Sequence, residues 1–492
     1  MNDTAAAAPA EGRIAYRWVA MGVVLVGTFM VVLDTTVVNL GLPALQRSFG
    51  SIDGVEWVIT AYLAAVGVAQ MVSGWAADRF GRKSTFIAAL VVFTASSALC
   101  AVAPSLGFLV GARIIQGVGG GLLMPVAMAM IYELFDPSER GRALGYFGIA
   151  VMVAPAIGPV LGGGLVESVG WRWLFLINVP IGLLGVVVAT RLLRDTGFRE
   201  VRPLDRVGLG LSGFGIAVLL IGMAQGGMHG WSSPGAVGPL LVGATLLTLF
   251  TRHALATTHP LVEMRILANP VFATAMITAS LMAVAQYLRL VYIPLELGAG
   301  RGITELHIGF VMFPSAIGIA LTMPIGGRLT DRVGARIPVS LGMALMAASY
   351  WPLSHLTPGT PLPWISLFLF VGGLGAGLGM MAPNIIAMNA VKSRYVSQAS
   401  GLSSVSRQLS AAVGVAVLAS VFATIRPTRA AATIGDEIAA YNSIFLIGCG
   451  ILVLALLVAQ RLPGKAKAHA LQDARRAEAA EEGLILAAGV EA

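Results

Sequence analysis

Apolar stretches of roughly 18 to 25 residues recur along this 492-residue chain, each long enough as a helix to cross about 30 Å of hydrocarbon. Only 11% of the residues are charged and 57% are hydrophobic, against about 25% charged in a soluble domain, so almost the whole chain is expected in the bilayer. Breaks at Gly, Pro and charge predict fourteen spans, near 16–42, 54–77, 84–102, 106–131, 143–166, 171–191, 207–225, 236–254, 271–297, 306–328, 337–354, 363–385, 402–424 and 441–460. The first is too long for a signal-peptide core and has no small-residue cleavage site, so it is expected to stay in place. The fold class is therefore an all-α integral membrane protein.

Counting Lys and Arg in alternate loops gives the direction of the spans. With both termini cytosolic, inside segments carry twenty-five of the 32 basic residues. Outside segments and span ends carry five, Arg47, Arg172, Arg301, Arg426 and Arg429, and Arg113 and Arg289 fall deep within spans. Orientation and contact with anionic lipid thus account for the net charge of +8, with no need of nucleic acid. The chain also repeats itself. "GWAADRFGRK" (74–83) follows the second span and "GGRLTDRVGAR" (326–336) the tenth, and one shift of 253 residues lays Gly74 on Gly327, Asp78 on Asp331, Arg79 on Arg332 and Gly81 on Gly334. A transporter of two six-helix halves with its substrate site between them gives such a recurrence. The expected organisation is a cytosolic tail (1–15), a six-helix half (16–192), a linker with two extra helices (193–268), a second half (269–460) and a cytosolic tail (461–492).

"MVVLDTTVVNLGLP" (30–43) buries one carboxylate, Asp34, where a charge costs several kcal/mol and needs a reason. At 1.5 Å per residue Asp34 lies about 13 Å, and Arg113 about 12 Å, below the same outer surface. The two are expected to face each other across the cavity, directly or through water. Burial and a neighbouring Arg act in opposite senses on a carboxyl's hold on its proton, so a motion that changes either one loads or releases a proton. The alternative is a fixed ion pair holding two helices together. Gln116 and Gly117 share the face of Arg113, and Thr35 and Asn39 neighbour Asp34, as candidate cavity groups. The repeat sets Tyr287 opposite Asp34, beside Gln286 and Arg289. Arg289 either contacts an anionic or polar substrate or snorkels outward with Glu296.

Residues 74–83 resemble the loop signature of the major facilitator superfamily, G-x-x-x-D-R-x-G-R-[KR], at every fixed position. "LDTTVVNLGLP" (33–43), "RIIQGVGGG" (113–121) and "APAIGPVLGGG" (154–164) are similar to the first-, fourth- and fifth-helix motifs of that superfamily's fourteen-helix drug:proton antiporters. "GWRWLFLINVPIG" (170–182) and "SRQLSAAVG" (406–414) extend the likeness. The resemblance implies the major facilitator fold and export of a small lipophilic compound (a drug, antibiotic or related metabolite) across a bacterial inner membrane, driven by proton entry. Gly74, Asp78, Arg79, Gly81 and Arg82, with Asp331 and Arg332 in the second copy, would form a conformational latch; the bland reading of the bases is anchorage to lipid headgroups. Gly158 and Gly162 stand four apart on one face and Pro159 frees a carbonyl, which suits a sliding gate or static close packing.

Soluble chemistry is thin. Cys100 and Cys449 give no disulfide framework, six histidines give no metal spacing, and no phosphate-cradling Gly-Lys-Ser/Thr loop assigns ATP as energy source. The expectation is no enzyme, no cofactor beyond a proton gradient, and a monomer whose partners are a small lipophilic substrate, protons and lipid. With Asp34 the only acid deep in a span, the substrate is expected to be neutral, zwitterionic or singly charged, and twenty methionines would suit an adaptable pocket. An importer or uniporter of the same fold, and a non-transporting receptor, are the other readings.

Overall fold

The computed structural model describes residues 10–49, 55, 57–136, 139–194, 203–303, 305–392, 395–425, 434–468, 470–471 and 473–474. They are helical, apart from short connections and one isolated bridge between Gly334 and Gly464. The first bundle holds α1 (Ala10–Phe49), α2 (Trp57–Phe80), α3 (Arg82–Ala101), α4 (Leu106–Leu134), α5 (Arg140–Ser168), α6 (Trp173–Leu176) and α7 (Asn178–Leu192). Then come α8 (Arg206–His229) and α9 (Pro234–Ala256). The second bundle holds α10 (Pro270–Leu295), α11 (Glu305–Val333), α12 (Arg336–Leu353), α13 (Leu362–Gly379), α14 (Ala382–Asn389), α15 (Val396–Ile425) and α16 (Ile434–Ala459).

Among the described residues, twelve helices are long and apolar enough to cross a membrane. Two expected spans, α5 and α12, are helical but not among them; α12 has only 18 residues and starts on Arg336. Two other spans are broken. Between 171 and 191 the chain passes from α6 to α7 at Ile177, and between 363 and 385 from α13 to α14 at Met380 and Met381. Pro180 and Pro383 lie in the first turns of α7 and α14, where a missing N–H costs nothing and the fixed φ starts a new helix. The first helix is longer than expected, reaching from Ala10 to Phe49.

The two bundles pack alike. In the first, α4 lies against α2 and α3, α1 against α5, and α7 against α1 and α3; in the second, α13 lies against α11 and α12, α10 against α15, and α16 against α10 and α12. They meet where α5 runs along α11 and α15 along α2. The repeat is visible in the backbone: Gly81 turns α2 into α3 at φ 82°, and Gly334 turns α11 into α12 at φ 83°, a left-handed conformation that favours glycine.

Glycine faces bring the helices together. A Cβ at Gly117 would stand 2.6 Å from the Tyr62 carbonyl oxygen and one at Gly119 2.8 Å from that of Ala89, so α4 touches the backbones of both α2 and α3. In α13, a Cβ at Gly375 would lie 2.8 Å from the Met346 nitrogen of α12. Helix α8 packs on α2 and α15, and α9 packs on α8 and on the 3-10 turn Met264–Ala268.

Asp205 caps α8 and ties it to α9. Its Oδ1 accepts from Gly208 N at 2.7 Å and lies 2.9 Å from His253 Nε2, while Oδ2 accepts from Leu261 N at 3.2 Å. Burial pushes this carboxyl up, but the hydrogen bonds from Gly208, His253 and Leu261 outweigh it and hold it below the usual carboxylate range.

Gly119→Ala is expected to lower the thermal stability of the full-length protein by about 1–3 kcal/mol through overpacking, whereas Gly111→Ala on the same helix, with nothing within 4 Å of its Cβ, should be neutral or better. Thermal unfolding of the detergent-solubilised variants checks this. A carboxyl held low contributes stability above its unfolded value and loses it as pH falls through the folded one. Backbone exchange at Gly208 and Leu261 should therefore stay protected at neutral pH and rise only below about pH 4, and Asp205→Ala should abolish the dependence.

Candidate functional site

Asp34 and Arg113 meet inside the first bundle. Arg113 Nη1 donates to Asp34 Oδ2 at 2.6 Å, and Gln116 Nε2 and Asn178 Nδ2 donate to Oδ1 at 3.1 and 2.8 Å. Arg113 also donates from Nε to the Val58 carbonyl at 3.1 Å and from Nη1 to Gln116 Oε1 at 2.7 Å. Ser97 Oγ accepts from Gln116 and Asn178 at 3.0 and 3.1 Å and donates to the Phe175 carbonyl at 3.0 Å. The guanidinium carbon stands 3.9 Å from the centroid of the Tyr62 ring, a cation–π contact. Neither charged side chain exposes more than 1% of its surface.

Local sequence builds this cluster. Arg113 and Gln116 lie three apart on one face of α4. The glycine face of α4 lets α2 approach until Val58 and Tyr62 reach the guanidinium. The break between α6 and α7 sets Asn178 in the first turn of α7, where its amide can turn to Asp34. With the carboxylate held by three donors, the charges are compensated by geometry as well as by each other.

A cavity of about 320 Å³ lies between the bundles, walled by α1, α2, α4 and α5 on one side and α10, α11, α13, α14 and α15 on the other. Asp34 and Arg113 do not line it, a correction to the expectation that they face each other across it: the glycine-tight packing of α4 on α2 draws the pair behind Tyr62. The Tyr62 ring covers Arg113 on one side and lines the cavity on the other, and its hydroxyl, beside Gly120, is buried with no hydrogen-bond partner among the described residues.

Of the residues expected in the cavity, Thr35, Gln286, Tyr287 and Arg289 line it. Gln116 and Gly117 do not. Gln116 is consumed by the ion pair, and Gly117 is pressed on the Tyr62 backbone. The side chain of Asn39 lies outside the described residues. Arg289 does not pair with Glu296, which binds Arg301 at 2.6 Å; Arg289 is 3% exposed and donates to Gln286 Oε1 at 2.9 Å.

The two loop motifs sit at the end of the bundle that carries the arginine-rich connections. Gly74 is buried in α2, Asp78 is half-buried, and Arg79 is exposed. Arg82 is no surface anchor: it is 6% exposed, pairs with Glu133 and donates to the Ala129 carbonyl at 3.2 Å. Its counterpart Ala335 makes no such tie, and Asp331 is half-buried beside exposed Arg332. Nearby, Tyr132 Oη donates to the Asn384 carbonyl at 3.2 Å and Arg140 Nη1 to Asn389 Oδ1 at 3.0 Å, joining the bundles. In α5, Gly158 abuts Thr36 of α1 and Gly162 is buried; the side chain of Pro159 lies outside the described residues.

Tyr62, Ser97 and Asn178 around the pair, and Asn384, Ser404, Arg407 and Gln408 in the cavity wall, are not among the residues expected from the sequence. Asn178 and Arg407 lie inside motif stretches, 170–182 and 406–414, that could have pointed to them.

The chain matches the Major Facilitator Superfamily profile over residues 24–415 and 276–486. It is 31% identical to the uncharacterized MFS-type transporter YhcA of Bacillus subtilis over 86% of this chain and 80% of that one. It is 32% identical to a multidrug resistance protein B homolog of Mycobacterium tuberculosis over 81% and 74%. In three dimensions it superimposes on the MFS proton:xylose symporter XylE with a TM-score of 0.64, covering 94% of this chain and 100% of that one at 14% identity. Relatives of this kind are transporters, not enzymes, and draw on ion gradients in place of a cofactor. The chain belongs to the major facilitator superfamily, alongside its drug:proton antiporters.

Proposed function

We propose that this chain is a proton-coupled antiporter that exports small lipophilic compounds, drugs or antibiotics among them, across the bacterial cytoplasmic membrane by alternating access. Counting α5 and α12 as passes makes fourteen, with both termini and the arginine-rich loops cytosolic and α8 and α9 as an insert between two six-helix halves. The observation that carries the reading is the buried Asp34–Arg113 pair, whose guanidinium is covered by the ring of Tyr62, a residue that also lines the cavity.

A proton on Asp34 removes one charge of the pair and leaves Arg113 uncompensated, held by the Val58 carbonyl, Gln116 and the Tyr62 face. Breaking a buried pair by removing one partner costs about 3–5 kcal/mol, enough to shift a two-state equilibrium decisively. Because the Tyr62 ring lies on the guanidinium, relaxation of Arg113 displaces a cavity wall. Protonation and substrate occupancy are coupled through that ring without sharing a binding site. On this reading the bonds from Tyr132 to Asn384 and from Arg140 to Asn389 close the cytosolic end. Asp78, Arg79, Asp331 and Arg332 latch the loops there, and the Gly158–Thr36 contact lets α5 slide on α1.

In cells expressing equal amounts of protein, fluorescent-dye efflux by the wild type should stop with a protonophore. Asp34→Asn should cut gradient-driven efflux by about tenfold or more. Tyr62→Ala removes the ring from Arg113 and should retain substrate binding while slowing gradient-driven efflux and moving its pH profile; Tyr62→Phe, which keeps the ring and loses only a hydroxyl with no partner among the described residues, should stay near wild type. Undiminished gradient-driven efflux by Asp34→Asn would make the pair purely structural, and gradient-driven uptake in place of efflux would make the protein an importer.

A further inference from the structure

The cavity wall carries two guanidiniums, Arg289 from α10 and Arg407 from α15, and among the described residues no Asp or Glu lines it. Neither arginine forms a salt bridge among the described residues. Arg407 is held by neutral partners, donating from Nη1 to Asn384 Oδ1 at 2.7 Å and from Nη2 to Ser404 Oγ at 3.3 Å. Arg289 is 3% exposed; its Nη2 is satisfied by Gln286, but its Nη1 is buried with no hydrogen-bond partner among the described residues. Room for that group is kept by Gly372 of α13, where a Cβ would stand 2.8 Å from Nη1. A guanidinium does not lose its proton inside a protein, so it remains a cation in a medium that penalises unpaired charge. The contrast with Arg113, compensated by Asp34, is sharp: the same residue type is neutralised in one bundle and left without a counter-charge in the other.

We propose that the central cavity selects amphipathic organic anions, a carboxylate or sulfonate on a compact apolar body, with Arg289 and Arg407 as the anion-binding pair. This rests on the transporter reading above and names its substrate class. The fork of a guanidinium matches the two oxygens of such a group, and the ligand supplies the counter-charge the fold omits. Around the two arginines the wall is apolar and deformable, with Met124, Met128, Met282, Met312, Met380 and Met381 lining it. Thioether side chains repack around varied ring systems, so the anion is the constant element of recognition and the apolar body the variable one. The volume of about 320 Å³ lies at the lower end of small-molecule sites and favours bodies of a few fused rings.

Naphthalene-2-sulfonate and 2-naphthylmethylammonium share an apolar body and differ in charge. Titrated calorimetrically into the full-length protein in nanodiscs, with empty nanodiscs subtracted, the sulfonate should bind about tenfold or more tighter than the ammonium. Arg289→Gln and Arg407→Gln should each erase most of that preference, while Arg289→Lys should keep part of it. Equal binding of the two probes, tighter binding of the ammonium, or a preference that survives both Gln variants would overturn the inference. Proteoliposomes under an imposed pH gradient separate this from the exporter reading. Gradient-driven movement of the ammonium alone overturns the anion selectivity and leaves export standing. Selective sulfonate binding with no gradient-driven movement of either probe overturns export and leaves the selectivity standing.

Discussion

Hydrocarbon supplies no hydrogen bonds, so the backbone and nearly every side-chain polar group that this chain places at membrane depth must find a partner within the protein, and a buried group left without one, such as Arg289 Nη1, stands out. That requirement shapes the backbone into helices, and it decides how closely they pack. Where α4 meets α2 and α3, glycines replace side chains and backbone lies on backbone. The close approach brings the Val58 carbonyl to Arg113 and the Tyr62 ring over its guanidinium, which complete the shell that Asp34 begins. The same device recurs between α13 and its neighbours, but there it makes space for Arg289 and delivers no carboxylate.

The two bundles have therefore diverged in charge while keeping one architecture. The first holds Asp34 and Arg113 as a directly bonded pair that does not line the cavity; the second places the guanidiniums of Arg289 and Arg407 in the cavity wall. The buried Asp34–Arg113 pair and the two cavity guanidiniums are thus held apart, with Tyr62 packed on the first and lining the cavity.

Several of these features were legible in the residues. Depth arithmetic along two antiparallel helices brought Asp34 and Arg113 to one level, and the observed bond is direct. The 253-residue shift between Gly81 and Gly334 is matched by two turns of nearly identical φ. Faces were harder. Gln116 lies three residues from Arg113 and so shares its side of the helix, but that side meets α1 and α3 and not the cavity, a distinction that periodicity does not carry. Tyr62 had no signal at all, since one aromatic in an apolar span is ordinary. Arg407 lay at a helix position where a basic residue reads equally as an interfacial anchor. The breaks at Ile177 and Met380 escaped because hydropathy runs unbroken across them and only the prolines beyond mark the restart.

What the sequence determined by itself was whatever depends on composition and spacing along one chain: helical spans set by apolar length, a two-bundle repeat set by recurring motifs, and the presence of rare intramembrane charges whose cost demands a role. What only the tertiary structure decided was which of those charges are neutralised and which face the cavity. That choice depends on how two or three helix faces rotate against one another at glycine contacts, and a rotation of one residue's arc, about 100°, exchanges a sealed pair for an open binding group.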